Sequence, residues 1–185
     1  LPPYFEGPGE EGVRWHYEQI AKAIKTPIMA YNIPVYTQFD ITPDIFARFS
    51  EIEGVDYIKD STADPSRIEK LVSQGARVFC GCDFLNFFAL VNGAAGLFTG
   101  SGNVAPAQLR KLWDLVQAKD YNKAEKVWKT LQPISRLLWS LPFNPVAKAG
   151  SDMTGRKVGL CRMPVPPLKA DEMKQVEAAV AALSA

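Results

Sequence analysis

Four times between residues 27 and 119, a short apolar run gives way to a segment of helical period, and this alternation constrains the fold more than any other feature. The runs are Pro27–Ile33, Val55–Lys59, Arg77–Cys82 and Gly93–Thr99. The segments behind them begin at Thr42-Pro43-Asp44, Asp64-Pro65, Asp83 and Ala105-Pro106. Thr or Asp followed by Pro is a helix start: the side chain caps the first turn and Pro occupies a position whose N–H has no helical partner. Ile45, Phe46, Phe49 and Ile52 give the first of these helices an apolar face, and Gly54 ends it. A further amphipathic helix, Val13 to Lys25, precedes the series behind a strand end at Leu1–Phe5 and a loop at Glu6–Gly12. Near-continuously apolar strands alternating with helices predict a parallel sheet with helices on its outside. Four strands cannot close a barrel, and a (β/α)₈ barrel takes about 250 residues. The chain therefore reads as α/β, with residues 1–119 the C-terminal half of a (β/α)₈ TIM barrel, and its start at Leu1 reads as cut in mid-pattern. Residues 120–185 read as a C-terminal helical extension: Tyr121–Ser140, Pro145–Met153 and Ala170–Leu183, with an extended linker at Gly159–Lys169.

Composition narrows the function. A net charge of +1 gives no electrostatic reason to bind nucleic acid or an acidic surface. No apolar run approaches the roughly 18 residues that span a membrane, and no signal peptide is visible. Three cysteines without framework spacing predict reduced thiols and a cytoplasmic protein. Cys80 and Cys82 are expected on one face of a strand. No second pair accompanies them, and the single histidine, His16, lies in a helical stretch, so no metal site is expected.

The second strand, Val55-Asp56-Tyr57-Ile58-Lys59, ends on a lysine with a turn, Asp60-Ser61-Thr62, directly behind it. Strands rich in Val, Tyr and Ile are normally buried, whereas lysine is among the residues least often fully buried. Lys59 is either an edge-strand lysine reaching back to water or a desolvated amine, kept partly neutral and able to attack a ketone to form a Schiff base. Strand alternation points Asp60 away from Lys59, so desolvation rather than the neighbouring carboxylate is expected to govern the amine. In parallel α/β folds the C-terminal strand ends form the active face. Tyr31 lies near the end of the first strand, Gly81 and Asp83 close the third, and Gly100-Ser101-Gly102-Asn103 closes the fourth. A phenol opposite a lysine can move the protons that carbinolamine formation and dehydration require. Each element also has an ordinary structural role: a strand aromatic with a wet hydroxyl, or a Gly-rich turn.

Tyr31-Asn32-Ile33-Pro34, Ile58-Lys59-Asp60-Ser61, Gly81-Cys82-Asp83 and Gly100-Ser101-Gly102-Asn103-Val104-Ala105-Pro106, in this order and spacing, resemble the dihydrodipicolinate synthase / N-acetylneuraminate lyase family. Asn144-Pro145-Val146-Ala147-Lys148 and Arg162-Met163-Pro164-Val165-Pro166-Pro167-Leu168 extend the resemblance to the C-terminal region. It implies a class I (β/α)₈ lyase acting on pyruvate or another 2-keto acid, without cofactor or metal. Lys59 falls on the family's Schiff-base lysine and Tyr31 on its proton-relay tyrosine, and Ser61, Gly81, Asp83, Gly100 and Ser101 are the candidate substrate-binding positions. The resemblance also implies a homo-oligomer, commonly a tetramer, for which Trp113, Trp128 and Trp139 are candidate contacts.

Two departures bear on the subclass. The synthase pattern carries an arginine two residues after the proline of Tyr-Asn-x-Pro, where this chain has Tyr36, which cannot offer a charged fork to a carboxylate. The sialic acid lyase pattern carries a glutamate after the aspartate corresponding to Asp83, where this chain has Phe84. What remains resembles the 2-keto-3-deoxy sugar acid aldolases and dehydratases, with 4-hydroxy-tetrahydrodipicolinate synthase and a non-catalytic homologue as the alternatives.

Overall fold

The computed structural model describes residues 1–184. The chain folds as two compact units, one of Leu1–Phe98 and one from Thr99 onward.

In the first unit, strands β1 (Ile28–Asn32), β2 (Val55–Asp60), β3 (Arg77–Cys80) and β4 (Gly96–Leu97) form a sheet in the order β1-β2-β3-β4, with every pair parallel. Helices α1 (Gly9–Ala23), α2 (Pro34–Thr37), α3 (Pro43–Phe49), α4 (Pro65–Ser73) and α5 (Asn86–Val91) lie before and between the strands. The helix starts behave as their sequence signals require. Thr42 accepts a hydrogen bond from Ile45 N at the head of α3, and Asp64 accepts one from Ser66 N at the head of α4. Val13 and Tyr17 from α1, Ala30 from β1, Phe46 and Phe49 from α3, and Ile58 from β2 belong to one buried apolar cluster. Each of the larger side chains among them, such as Val13, Phe46, Phe49 and Ile58, contributes about 1.5–3 kcal/mol on burial. Burial alternates along β1, with Ile28, Ala30 and Asn32 buried while Met29 and Tyr31 are half-buried. One face of the sheet is thus covered by helices, and Tyr31 and Lys59 stand on the other.

The second unit is helical: α6 (Ser101–Val104), α7 (Pro106–Gln117), α8 (Tyr121–Ser140), α9 (Phe143–Met153) and α10 (Ala170–Ala181). Leu112 of α7, Leu131 and Ile134 of α8, Val146 of α9 and Val176 of α10 are fully buried. Arg156 donates to the carbonyls of Asn103 and Val104, and Ser151 Oγ donates to Asn103 O, so the carbonyls at the end of α6 that have no helical partner are satisfied. Trp128 is buried in this core, Trp113 is half-buried beneath the Arg110 guanidinium, and Trp139 is exposed.

Several elements differ from expectation. Helix α1 begins at Gly9 rather than Val13, because Pro8 with Glu10 and Glu11 in the first turn makes a helix start that reads as loop chemistry. Leu1–Phe5 carries no strand. Strand β3 stops at Cys80, so Cys82 lies beyond it, and Cys80 Sγ instead donates to Cys82 O. Strand β4 is only two residues long, and Gly93, at a left-handed φ of 87°, turns the chain toward it. Pro34, which reads as a strand stop, also opens the short helix α2. The Gly100–Asn103 stretch is not an open turn but leads into the helical turn α6.

Ile58 is fully buried at the centre of β2. Ile58→Ala should cost about 2–5 kcal/mol, seen as a lower urea midpoint with an unchanged denaturant slope.

Candidate active site

The candidate site is built on the pairing of β1 with β2. In their parallel register Tyr31 lies beside Lys59, and Asn32 beside Asp60. Lys59 Nζ stands 3.9 Å from the centroid of the Tyr31 ring and 4.7 Å from that of Phe98. Both distances lie within cation–π range. Lys59 is half-buried rather than enclosed. Phe98 follows β4, and its N–H donates to Cys80 O, which sets it beside the third strand. Phe98 is not among the residues expected from the sequence; a phenylalanine near the end of a small-residue strand is the signal that marks it.

Asp60 lies on the opposite face, 3% exposed, and its carboxylate is fully engaged there. Oδ2 accepts from Asn32 Nδ2 at 2.9 Å, and Oδ1 accepts from Thr62 N at 3.1 Å and Thr62 Oγ1 at 2.6 Å. Arg67 Nε stands 3.6 Å from Oδ2. A buried carboxylate is tolerated only when compensated in this way. The expectation that Asp60 turns away from Lys59 agrees with this geometry.

Ser61 and Gly81 meet the lysine directly. Ser61 N donates to Asn32 O, and Gly81 N donates to Asp60 O, which carries the ladder past the strand ends. A Cβ on Gly81 would collide with Ser61 Oγ and would lie 2.8 Å from Lys59 Cε and 2.9 Å from Asp60 O. Only glycine lets β3 approach this closely. Ser61 is buried, and its Oγ has no hydrogen-bond partner among the described residues. Asp83 is buried at the start of a single 3₁₀ turn, Asp83–Leu85. Burial pushes the thiols of Cys80 and Cys82 up to about 12, so both are neutral at physiological pH. Among the described residues, no group of three or more His, Cys, Asp or Glu side chains could hold a metal.

Gly100 and Ser101 belong to the second unit. A Cβ on Gly100 would come within 2.7 Å of the Phe143 ring and 3.2 Å of Leu138, so this glycine has a packing reason of its own. Ser101 is fully buried, with its Oγ 3.3 Å from Thr99 Oγ1. Tyr31, Lys59, Ser61 and Gly81 are therefore gathered at one place in the first unit. Tyr36, on α2, is 73% exposed.

The model of the Dihydrodipicolinate synthetase family matches residues 1–183. The 4-hydroxy-tetrahydrodipicolinate synthase of Teredinibacter turnerae is 32% identical over 186 residues, which cover 97% of this chain and 63% of that protein. The enzyme of the same name from Syntrophobacter fumaroxidans is 31% identical over 172 residues, 91% of this chain and 59% of the relative. Among solved structures, a prophage protein of the dihydrodipicolinic acid synthase family from E. coli K12, in complex with pyruvate, superposes with a TM-score of 0.91 at 26% identity, covering 99% of this chain and 64% of that one. The chloride-inhibited dihydrodipicolinate synthase of Acinetobacter baumannii, complexed with pyruvate, gives a TM-score of 0.88 at 27% identity, with 98% and 64% covered. This chain spans less than two thirds of the length of these relatives. Its parallel four-stranded sheet with intervening helices is accordingly part of a (β/α)₈ barrel, and the chain belongs to the dihydrodipicolinate synthetase family.

Proposed function

We propose that the protein is a class I lyase in which Lys59 forms a Schiff base with pyruvate or another 2-keto acid. The observation that carries this reading is the Lys59 amine at the ring of Tyr31, 3.9 Å from its centroid, at the paired ends of two parallel strands. The amine adds to the keto carbon, a proton reaches the carbonyl oxygen, and water leaves to give the iminium. Tyr31 serves as the proton carrier between the amine and the substrate oxygen. The iminium then acts as the electron sink for making or breaking the bond one carbon further on. Ser61, whose buried hydroxyl has no partner among the described residues, offers a hydrogen bond to the bound acid, and Gly81 leaves room for that hydroxyl and the Lys59 stem. Asp83 is a further proposed substrate-binding position of the first unit, and Gly100 and Ser101 are proposed positions in the second. We further propose a cytoplasmic homo-oligomer, a tetramer, with the exposed Trp139 among its candidate contacts.

As to which 2-keto acid is bound, Tyr36 favours a 2-keto-3-deoxy sugar acid, cleaved by a retro-aldol step or dehydrated, over pyruvate with a second, carboxylate-bearing substrate, because its exposed phenol cannot form the two-pronged ion pair such a partner needs. A second reading, 4-hydroxy-tetrahydrodipicolinate synthase, is favoured by the names of the Teredinibacter and Syntrophobacter relatives. It would require a cation from elsewhere to replace the missing arginine. Turnover with a panel of 2-keto-3-deoxy acids, set against turnover with pyruvate and aspartate semialdehyde, separates the two.

Three variants test the chemistry. Lys59→Ala should abolish the covalent adduct trapped by borohydride with pyruvate, as read by intact-protein and peptide mass spectrometry; an adduct on another lysine would overturn the assignment. Tyr31→Phe should retain some trapping while turnover falls about 10²–10⁴-fold. Gly81→Ala should destabilise the protein by about 1–3 kcal/mol and suppress trapping, because the added methyl occupies the space of Lys59 Cε and Ser61 Oγ.

A further inference from the structure

The covered face of the β1–β2 pair carries a second constellation of charged groups. Arg67, on α4, grips Asp40 with both terminal nitrogens, Nη1 to Oδ2 at 2.7 Å and Nη2 to Oδ1 at 2.9 Å, and Nη2 also donates to Ile41 O at 2.9 Å. Asn32 Nδ2 donates to Asp40 at 3.0 Å and to Asp60 at 2.9 Å, while its Oδ1 accepts from Ile41 N at 2.9 Å. Held by this fork, Arg67 Nε faces Asp60 at 3.6 Å, too far for a hydrogen bond but close enough for charge attraction. The arginine side chain is 14% exposed, so solvent screens this attraction weakly.

We infer that Arg67 is a positioning residue of the Lys59 site, placed by Asp40 so that its charge offsets the buried Asp60 carboxylate and keeps it from holding Lys59 as an unreactive ammonium. The inference rests on the Schiff-base reading above. Imine formation needs the free lone pair, and a carboxylate one residue away favours the charged amine. Here that carboxylate is tied to Asn32, Thr62 and Arg67 on the far face. The other groups around the amine do not supply the offset. Tyr31 and Phe98 present rings to it. The Cys82 thiol, which lies within the electrostatic reach of Lys59, Asp60 and Asp83, is neutral, and Asp83 is a further carboxylate. Among the described residues, Arg67 is thus the cation that faces Asp60, 3.6 Å from its carboxylate.

The test is the pH dependence of the rate at which cyanoborohydride traps the pyruvate adduct on Lys59, in the full chain, between about pH 6 and about pH 10. Arg67→Met should move the midpoint upward by on the order of one pH unit, equivalent to roughly tenfold slower trapping below it. Arg67→Lys, which keeps the charge, should stay nearer the parent. Adding Asp60→Asn to Arg67→Met should bring the midpoint back, because the charge to be offset is gone. Asp60→Asn alone, with Arg67 intact, should move the midpoint downward and serves if Arg67→Met does not fold. A folded Arg67→Met with the parental profile, or Asp60→Asn with no downward movement, overturns the inference. A parent chain that forms no adduct on Lys59 overturns the Schiff-base reading, and this inference falls with it.

Discussion

The parallel pairing of β1 with β2 is the interaction on which the first unit depends. One register, Tyr31 beside Lys59 and Asn32 beside Asp60, puts an amine and a phenol ring on one face and a buried polar pair on the other. A slip of one residue would exchange the two faces, burying the lysine against the helices and turning the carboxylate toward the site. The polar pair resists such a slip. Asn32 uses its amide on both sides, donating to Asp40 and Asp60 and accepting from Ile41, so the strand end is tied to the loop behind α2 and, through Arg67, to α4. A half-satisfied polar network would weaken the core, whereas this one is occupied at nearly every donor and acceptor.

The active face and the covered face are therefore coupled through the chain itself. Tyr31 and Asn32 are neighbours, as are Lys59 and Asp60, and each neighbouring pair divides its labour by strand alternation. Gly81 adds the third strand to this arrangement. Its missing Cβ leaves the space that Lys59 Cε and Ser61 Oγ fill beside the Asp60 carbonyl. Reactive groups held on strands by close packing keep their geometry better than groups carried on loops.

The second unit has a separate logic. Its helices pack around Leu112, Leu131, Ile134, Val146 and Val176, and Arg156 and Ser151 lace α9 and the segment after it to the end of α6. Gly100 illustrates how one residue type admits two explanations: a glycine beside the candidate substrate-binding Ser101 is also the position where the Phe143 ring packs against backbone.

The strand–helix alternation, the Thr42 and Asp64 caps and the buried apolar strands were all legible in the sequence, because each rests on interactions within a few residues. So was the address of Lys59, a lysine that closes an apolar strand. The lengths of β3 and β4 were not, since a strand extends only as far as its neighbour offers hydrogen bonds, and the neighbour is remote in sequence. Phe98 escaped notice for the same reason: its approach to Lys59 is set by pairing across the sheet. The sequence placed Asp60 next to the lysine. Only the tertiary structure decided what that carboxylate meets, by bringing Asn32 of β1, Thr62 and Arg67 of α4 to it. A charge can be kept away from water only where other groups converge on it, and that convergence is a property of the fold.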